Sequence, residues 1–480
     1  MSQWAGVVLA AGMGTRMKSR LPKVLHRVCG KEMVRYPVEL LRRLGADRTV
    51  VVVSPANRAE IERALGDQVE YVEQASPNGT GGAVAESAKL LQAKLLQKKD
   101  VQNPEHLLVL GSDSPLLKEE TLRQLMAHHL EDGNYMSILS AIYESPGDLG
   151  RIRRDGNGWI TGIIEAASGA QPETGPSDSS TEINGGVYCF DAPWLWDNLP
   201  RIEPSQSGEL YLTSLASFGS GNRGSDNGGV GDVGEENRSK ISGIITHDSV
   251  QLQGVNNRVQ LAQAEAAMRQ RINRQWMLSG VTILDPASVF IDAEVTIGQD
   301  SVILPNTMLL GSTTVGEDSE IGPGSVLRDS WVGDRCRVTS SMLEEATMEE
   351  GSNIGPFSHL RPGAYLESGV HIGNFAEVKE SRLAQGTLMG HFGYVGDASI
   401  GANVNLGAGI VTCNYDGRDK HQTNIGAGAF VGCDTMLVAP VTVGAEAVTG
   451  AGSVITKDVP PGRLAVGVPA RIVDKSSGES

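Results

Sequence analysis

The sequence predicts a Rossmann-like α/β domain, a linker helix and then a parallel β-solenoid. Three observations carry this. Short apolar runs alternate with helical patterns through the first half, a glycine loop follows the first of those runs, and from Ile297 onward aliphatic residues recur every six positions.

At 480 residues the chain is too long for one ordinary domain and long enough to bury large cores. A net charge of −16 argues against nucleic acid or an anionic membrane as the main partner, so anionic substrates must be held by local basic residues. Five cysteines are scattered without C-x-x-C spacing, which fits neither a zinc site nor a disulfide framework and is expected of a reducing cytoplasm. No basic segment leads into an apolar leader and no run approaches a membrane span, so a soluble, cytoplasmic protein is expected. High glycine (59) with only 5% aromatics points to extensive turn-rich regular structure.

In the first half, Gly6 to Ala11, Val50 to Val53, Val69 to Val72, Leu107 to Leu110 and Met136 to Ala141 read as strands. Val34, Val38, Leu41 and Leu44 mark one helix face. Such alternation implies a largely parallel sheet covered on both faces. The loop Leu9-Ala10-Ala11-Gly12-Met13-Gly14-Thr15-Arg16 suits an anion, because glycines let backbone N–H groups approach closely and Arg16 and Lys23 add positive charge. It has neither the third glycine of the dinucleotide fingerprint nor the Gly-Lys-Ser/Thr of a P-loop. Asp113 sits at the end of the strand Leu107 to Leu110, where α/β sheets place ligands. A carboxylate there suits Mg²⁺, which prefers one or two carboxylates plus substrate phosphates. Segments Ser168 to Ser180 and Gly219 to Lys240 are poor in apolar residues, and the second reads as a flexible surface insertion.

These residues resemble the signature of sugar-1-phosphate nucleotidylyltransferases. By that resemblance Leu9, Ala10, Ala11, Gly12, Lys23, Gln74, Gly79, Thr80, Gly111, Ser112 and Asp113 bind the sugar nucleotide. Gly150, Glu165 and Asn184 are expected to contact it as well, Asn256 to share a magnesium with Asp113, and Arg16 and Lys23 to be catalytic. Ser112 stands where the family usually has glycine.

Leu261, Ala264, Met268, Ile272 and Trp276 fall on one helical face and end near Gly280. Beyond them Ile297, Ile303, Leu309, Val315, Ile321 and Leu327 keep a six-residue step. The register then slips, and the step resumes at Ile354, Leu360, Leu366, Ile372 and Val378, and again from Ile425 to Val443. This period fits neither helix nor simple strand alternation; it implies flat segments stacked with aliphatics inward and glycine at corners.

Between Asn353 and Tyr415 the repeat carries Arg361-Pro362-Gly363, Gly373-Asn374-Phe375-Ala376-Glu377-Val378-Lys379, Gly390-His391-Phe392-Gly393-Tyr394-Val395-Gly396-Asp397, Asn403-Val404-Asn405 and Thr412-Cys413-Asn414-Tyr415-Asp416-Gly417. These strings, with the first half, resemble the bifunctional GlmU-type family, which joins a uridylyltransferase to an N-acetyltransferase. The resemblance implies a left-handed β-helix, a homotrimer, and domains at 1–257, 258–280 (the linker helix) and 281–480. It implies glucosamine 1-phosphate, acetyl-CoA, UTP and N-acetylglucosamine 1-phosphate as substrates, with Mg²⁺ as cofactor. An amine attacks a thioester only as the neutral base, so a histidine suits the proton it must lose; His391 is the candidate. Arg361, Lys379 and Tyr394 would hold the sugar phosphate, and Asn405 the amino sugar. Asn414 and Tyr415 would bind the amino sugar too and count with Ala408, Cys433 and Ala451, which line the CoA groove, as acetyl-CoA-binding residues. The family's CoA-contacting arginine near the last coils has no assigned counterpart; Arg463 and Arg471 are the nearby residues. Two rivals remain at this point: a nucleotidylyltransferase with a merely regulatory β-helix, and a non-catalytic assembly subunit.

Overall fold

A computed structural model describes residues 3–92, 103–144, 147, 149–156, 158–165, 180–218 and 240–473. The segments read as insertions therefore lie, but for Ser180 and Lys240, outside the described residues. The chain divides into two compact units, Met1–Ala267 and Met268–Ser480.

The first unit is built on strands β1 (Trp4–Leu9), β2 (Arg48–Val53), β3 (Glu70–Glu73), β4 (His106–Gly111), β5 (Met136–Tyr143), β6 (Arg151–Arg154), β7 (Ile160–Ile164), β8 (Thr181–Asp191) and β9 (Ile241–Thr246). Its main path runs β9-β5-β8-β4-β1-β2-β3, with the β6–β7 hairpin attached to β8. Helices α1 (Arg35–Arg43), α2 (Arg58–Leu65), α3 (Gly79–Leu91), α4 (Glu119–Glu131) and α5 (Ala192–Asn198) accompany it. Val8, Val51, Leu108 and Leu110 belong to one buried cluster, while Val7, Val50, Val52, Leu107 and Val109 belong to the other. Alternate residues of the same strands thus enter two cores, which is why these strands read as continuous apolar runs.

Two details differ from the sequence reading. β1 lies two residues earlier than the run Gly6 to Ala11: Ala10 still donates to the Val52 carbonyl (2.8 Å), after which the chain turns into the loop. The sheet is mixed, because β8 runs antiparallel to both β4 and β5. Its pairing with β5 breaks between Asn184 and Tyr188, where a side chain on Gly185 would meet the Leu139 carbonyl at 2.6 Å.

Helix α6 (Arg258–Leu278) leads into the second unit. There Ile272 and Trp276 pack against the solenoid core, the Arg269 guanidinium lies 4.2 Å from the Phe290 ring centroid, and Asn273 donates to the Pro286 and Val289 carbonyls (2.9 and 3.1 Å). The open end of a stacked core needs such a cap. The solenoid has three parallel sheets of 12, 10 and 9 strands, the first closed at the far end by an antiparallel pair, Leu464–Gly467 with Ala470–Val473. The stacked six-residue steps form a left-handed parallel β-helix.

Each six-residue step is one face and three steps make one coil. Leu309 pairs with Leu327, whereas Val315 pairs with Val332, one residue short. Single-residue deletions at corners therefore account for the slipping register. Ile303, Leu309, Ile321 and Leu327 are fully buried. Two residues before the aliphatic positions stand buried hydroxyls: Ser301 Oγ donates to the Gly316 carbonyl (2.7 Å) and accepts from the Ser319 N–H (2.9 Å). Such hydroxyls tie the corner backbone of one coil to that of the next. Corners also use left-handed backbone, at Asp300, Asn306, Asp318 and Asn403, because Asp and Asn tolerate it best after glycine. Among the described residues no helix is long and apolar enough to cross a membrane.

Candidate active sites

In the first unit the ends of β1 and β4 lie side by side. Ser112 fastens them: its N–H and hydroxyl both donate to the Leu9 carbonyl (3.2 and 2.6 Å). The Ser112 hydroxyl thus adds a strut between the two strand ends. Gly14 adopts a left-handed conformation (φ 61°), and a Cβ on it would come within 2.4 Å of Lys23 Cβ. That close approach seats Lys23, whose ammonium meets Asp113 Oδ2 at 2.6 Å and Asn256 Oδ1 at 3.0 Å. Three candidates separated by 90 and 233 residues converge on one point. Asp113 and Asn256 are joined again through the Val255 N–H, which donates to the Asp113 carbonyl (2.9 Å). Arg16 is exposed on the same loop, beside exposed Gly12.

Asn57, absent from the sequence reading, holds the loop from beneath. It is buried, its Nδ2 donates to the Ala10 carbonyl (2.8 Å), and its Oδ1 accepts from Ser54 N–H (2.9 Å). Its only signal in the sequence was an asparagine just before a helix. Gln74 is also buried and donates to Asn78 Oδ1 and the Gly79 carbonyl (2.7 and 3.0 Å), while Thr80 Oγ1 accepts from the Leu212 N–H (3.0 Å). A second group gathers at the hairpin. The Gly150 carbonyl accepts from Asn184 N–H (2.8 Å), a Cβ on Gly150 would lie 3.4 Å from Glu165 Oε2, and Glu165 accepts from Thr213 (2.7 Å). Asn184 Nδ2 donates to the Tyr188 hydroxyl (2.7 Å), which burial and then Glu165 hold protonated, well above the ordinary tyrosine range.

The residues present fit a hard divalent cation. Asp113 and Asn256 present one carboxylate and one amide oxygen to a point that a positive charge, the Lys23 ammonium, already bridges. Both are oxygen donors, and no group of three His, Cys, Asp or Glu side chains converges among the described residues. Such a sparse set suits a cation that keeps water and substrate phosphates as its remaining ligands.

In the second unit Arg361 and Lys379 occupy the same position on successive coils, as the Leu360–Val378 pairing shows. Arg361 Nη1 donates to Glu377 Oε1 (2.6 Å), and that carboxylate holds the guanidinium above its usual range. Glu377 in turn is paired with Tyr394 across the next rung. Lys379 is held below the usual lysine range by its close approach to Lys420 and by that ammonium's charge, while Lys420 is pushed up. Lys420 was not read from the sequence, and Glu377 stood in the string Gly373 to Lys379 without a role of its own. Lys420 sits at the end of a loop inserted into the coil, carried by an Asp416 turn: Oδ1 accepts the N–H groups of Arg418 and Asp419 (2.8 Å each) and Oδ2 meets His421 Nε2 (2.8 Å). Asn414 opens this loop, bonded to Asp397 and, at 3.5 Å, to the Tyr394 hydroxyl; Tyr415 beside it is exposed.

His391 is exposed at the corner that begins this same face, with Tyr394 between it and the Arg361 and Lys379 margin. By strand rise the two margins are about 16 Å apart. That corner is a column: Gly373-Asn374, Gly390-His391, Gly407-Ala408, Gly432-Cys433 and Gly450-Ala451 follow one another up successive coils. The Asp434 N–H donates to the Ala408 carbonyl and the Gly452 N–H to that of Cys433 (2.6 and 2.8 Å). Ala408, Cys433 and Ala451 thus rise above His391 as a run of small side chains, with Cys433 exposed. Asn405 lies on the face before the corner, paired with Leu388 and Phe430, and within one chain is not brought to Arg361 or Lys379.

Residues 6–146 match the family model for a MobA-like NTP transferase domain, and residues 294–329 that for the bacterial transferase hexapeptide of six repeats. Fold and sites thus define a nucleotidyltransferase fused to a hexapeptide transferase. The chain is 41% identical over 472 residues to the Bifunctional protein GlmU of Geobacillus sp. (strain WCH70), covering 98% of this chain and 96% of the relative. It is 43% identical over 467 residues to the Bifunctional protein GlmU of Caldanaerobacter subterraneus subsp. tengcongensis, covering 97% and 95%. With that of Heliobacterium modesticaldum the identity is 40% over 472 residues, covering 97% and 96%. The chain belongs to the bifunctional GlmU family.

Proposed function

We propose that this chain carries out two consecutive reactions in making UDP-N-acetylglucosamine. The solenoid transfers the acetyl group of acetyl-CoA to the amine of glucosamine 1-phosphate, releasing CoA. The α/β domain then joins N-acetylglucosamine 1-phosphate to the uridylyl group of UTP, releasing pyrophosphate. Full-length kinship to bifunctional relatives supports both halves, and the observation that carries the reading is the meeting of Lys23, Asp113 and Asn256.

In the uridylyl step the sugar phosphate oxygen attacks the α-phosphorus as pyrophosphate leaves. The glycine loop from Ala11 to Gly14 offers N–H groups to the triphosphate, Arg16 and Lys23 stabilise charge developing on the leaving group, and Gln74, Gly79 and Thr80 flank the base. Gly150, Glu165 and Asn184 receive the sugar. Asp113 and Asn256 would hold Mg²⁺, which when bound supplies charge neutralisation at the phosphate oxygens.

In the acetyl step His391 accepts the proton that the attacking amine loses, and the thioester carbon passes its electron pair to the CoA sulfur. Arg361, Lys379, Lys420 and Tyr394 hold the phosphate. Small side chains at Ala408, Cys433 and Ala451 leave room for the CoA arm along the corner column, with Asn414 and Tyr415 beside it. Asn405 faces another side of its own coil, so a site using it is completed by a neighbouring chain, in keeping with a homotrimer. The division proposed is 1–257, 258–280 and 281–480, in a cytoplasmic enzyme whose substrates are all small molecules. One coupled assay tests all of this: pyrophosphate release with UTP against other nucleotides, with and without acetyl-CoA, starting from glucosamine 1-phosphate. Pyrophosphate that needs UTP and acetyl-CoA together supports the reading; release from glucosamine 1-phosphate without acetyl-CoA overturns it.

A further inference from the structure

Lys23 stands at the base of a short hairpin whose tip is strained. The hairpin closes through Val34 N–H to the Val24 carbonyl, Met33 N–H to the His26 carbonyl (3.0 Å each) and the pairs Arg27 with Glu32 and Val28 with Lys31. Its two turn residues, Cys29 and Gly30, both have positive φ (43° and 77°). A two-residue turn of that shape favours Asn-Gly, and a cysteine held left-handed there is strained. Cys29 is nonetheless buried.

What holds it lies on α6. Glu265 Oε2 accepts the Cys29 N–H at 2.6 Å, and Glu265 Oε1 lies 3.5 Å from the Cys29 sulfur. A carboxylate accepting a backbone N–H makes one of the stronger hydrogen bonds available, enough to offset the strain. The same helix fixes Asn256 at its start: Asn257 Oδ1 accepts the Gln260 N–H (2.9 Å), and Gln260 Oε1 accepts the Asn256 N–H (2.7 Å), a reciprocal cap. Between the two ends, Arg258 Nη1 meets His26 Nδ1 at 3.3 Å. Hairpin and helix therefore run together, joined at the base by Lys23 with Asn256, midway by His26 with Arg258, and at the tip by Cys29 with Glu265.

We propose that Glu265 is a positioning residue for uridylyl transfer: by docking the Cys29–Gly30 turn on the linker helix it sets the hairpin whose base delivers Lys23 to Asp113 and Asn256. This rests on the reading of that trio as the uridylyl site. Without the dock the hairpin can tilt about its base, and misplacement of a catalytic group by about 1 Å costs roughly 10²-fold.

The full-length chain supplies its own control, because acetyl transfer uses other residues. In Glu265→Ala, kcat for pyrophosphate release should fall about tenfold or more, with KM for UTP changed much less and acetyl transfer unchanged. Glu265→Gln keeps an oxygen acceptor and should recover most of kcat. Cys29→Asn relieves the strained turn and, placed in the Glu265→Ala chain, should recover part of it. A Glu265→Ala enzyme with kcat within twofold of the parent overturns the proposal, as does equal loss in the Gln and Ala variants or a parallel loss of both activities. Failure of the site reading is distinguishable: Lys23→Ala would then also leave pyrophosphate release intact.

Discussion

The two halves make an anion site in opposite ways. In the α/β half, Lys23, Asp113 and Asn256 come from three distant parts of the chain and meet only because β1 and β4 end together and α6 begins beside them. In the solenoid, Arg361 and Lys379 meet because they occur one coil apart, and His391, Ala408, Cys433 and Ala451 align for the same reason. Convergence makes the first site depend on tertiary packing. Periodicity sets the second chiefly through the coil spacing, with an inserted loop added to it, so damage to either should stay in its own half.

Single side-chain removals break the comparison most sharply. Asp113→Asn should lower pyrophosphate release at least about 10²-fold, the scale of losing a preorganised charge at a phosphoryl-type transition state, and leave CoA thiol release untouched. His391→Ala should do the reverse, lowering thiol release about 10²- to 10⁴-fold as expected for a lost general base. Either variant silencing both reactions would show the halves to be coupled.

Glycines sharpen it further. Gly14→Ala forces a Cβ to within 2.4 Å of Lys23 Cβ at a left-handed position, which should depress uridylyl transfer about tenfold with little change in melting temperature. Gly373→Ala instead drives a Cβ to 1.9 Å from the Gly390 carbonyl oxygen, backbone against backbone. Neighbouring coils must then part at the corner that carries His391. Acetyl transfer and solenoid stability should fall together, read as thiol release and a thermal melt.

The same contrast explains what the sequence made legible. Asp113, Lys23 and the glycine loop carry motif spacing, and the buried aliphatics of the coil carry a period, so both were readable. Asn57, Glu265 and Lys420 carry neither, and Glu377 stood in a motif string without a role of its own: each matters through a partner that folding brings near, with Asn57 on Ala10, Glu265 on Cys29, Lys420 on Lys379 and Glu377 on Arg361. The antiparallel course of β8 was hidden because strand direction leaves no mark in a run buried on both faces. The slip in register was visible in the sequence, and its cause, single deletions at corners between paired rungs, only in the structure.

Acid should also separate the halves. His129 is buried on α4, its Nδ1 on Ser137 Oγ (3.0 Å), with Trp4 and His106 rings packed against it. Burial first, then His106 and His128, push it down from 6.5 to about 3; His106 is lowered too, by burial, against Asp191 and Glu105. A base held neutral in the fold contributes stability that is complete above its unfolded value and is lost as pH falls below 6.5. Each such proton steepens the loss by up to about 1.4 kcal/mol per pH unit. The solenoid's described histidines are all at least partly exposed. Between pH 7 and 5 the first unit should lose stability faster than the second, followed by Trp4 fluorescence in denaturant melts, and His129→Leu should flatten that slope.

The smallest effect concerns the lysine pair. Lys379 is lowered and Lys420 raised by their mutual approach, so in alkali the pair gives up its first proton earlier than an isolated lysine would. Lys420 is exposed and Lys379 partly so, and salt screens such charges, so the energy involved is modest. The direction is nonetheless distinct. KM for glucosamine 1-phosphate should begin to rise at a lower pH than in a site with one lysine, and Lys420→Met should shift that rise upward because Lys379 regains its ordinary basicity. The variant's KM at neutral pH should be a few-fold higher from losing one phosphate contact, with a shallower dependence on salt. An unchanged pH profile would mean that the two ammonium groups do not act on one phosphate, and the solenoid site would then rest on aligned residues of one column alone.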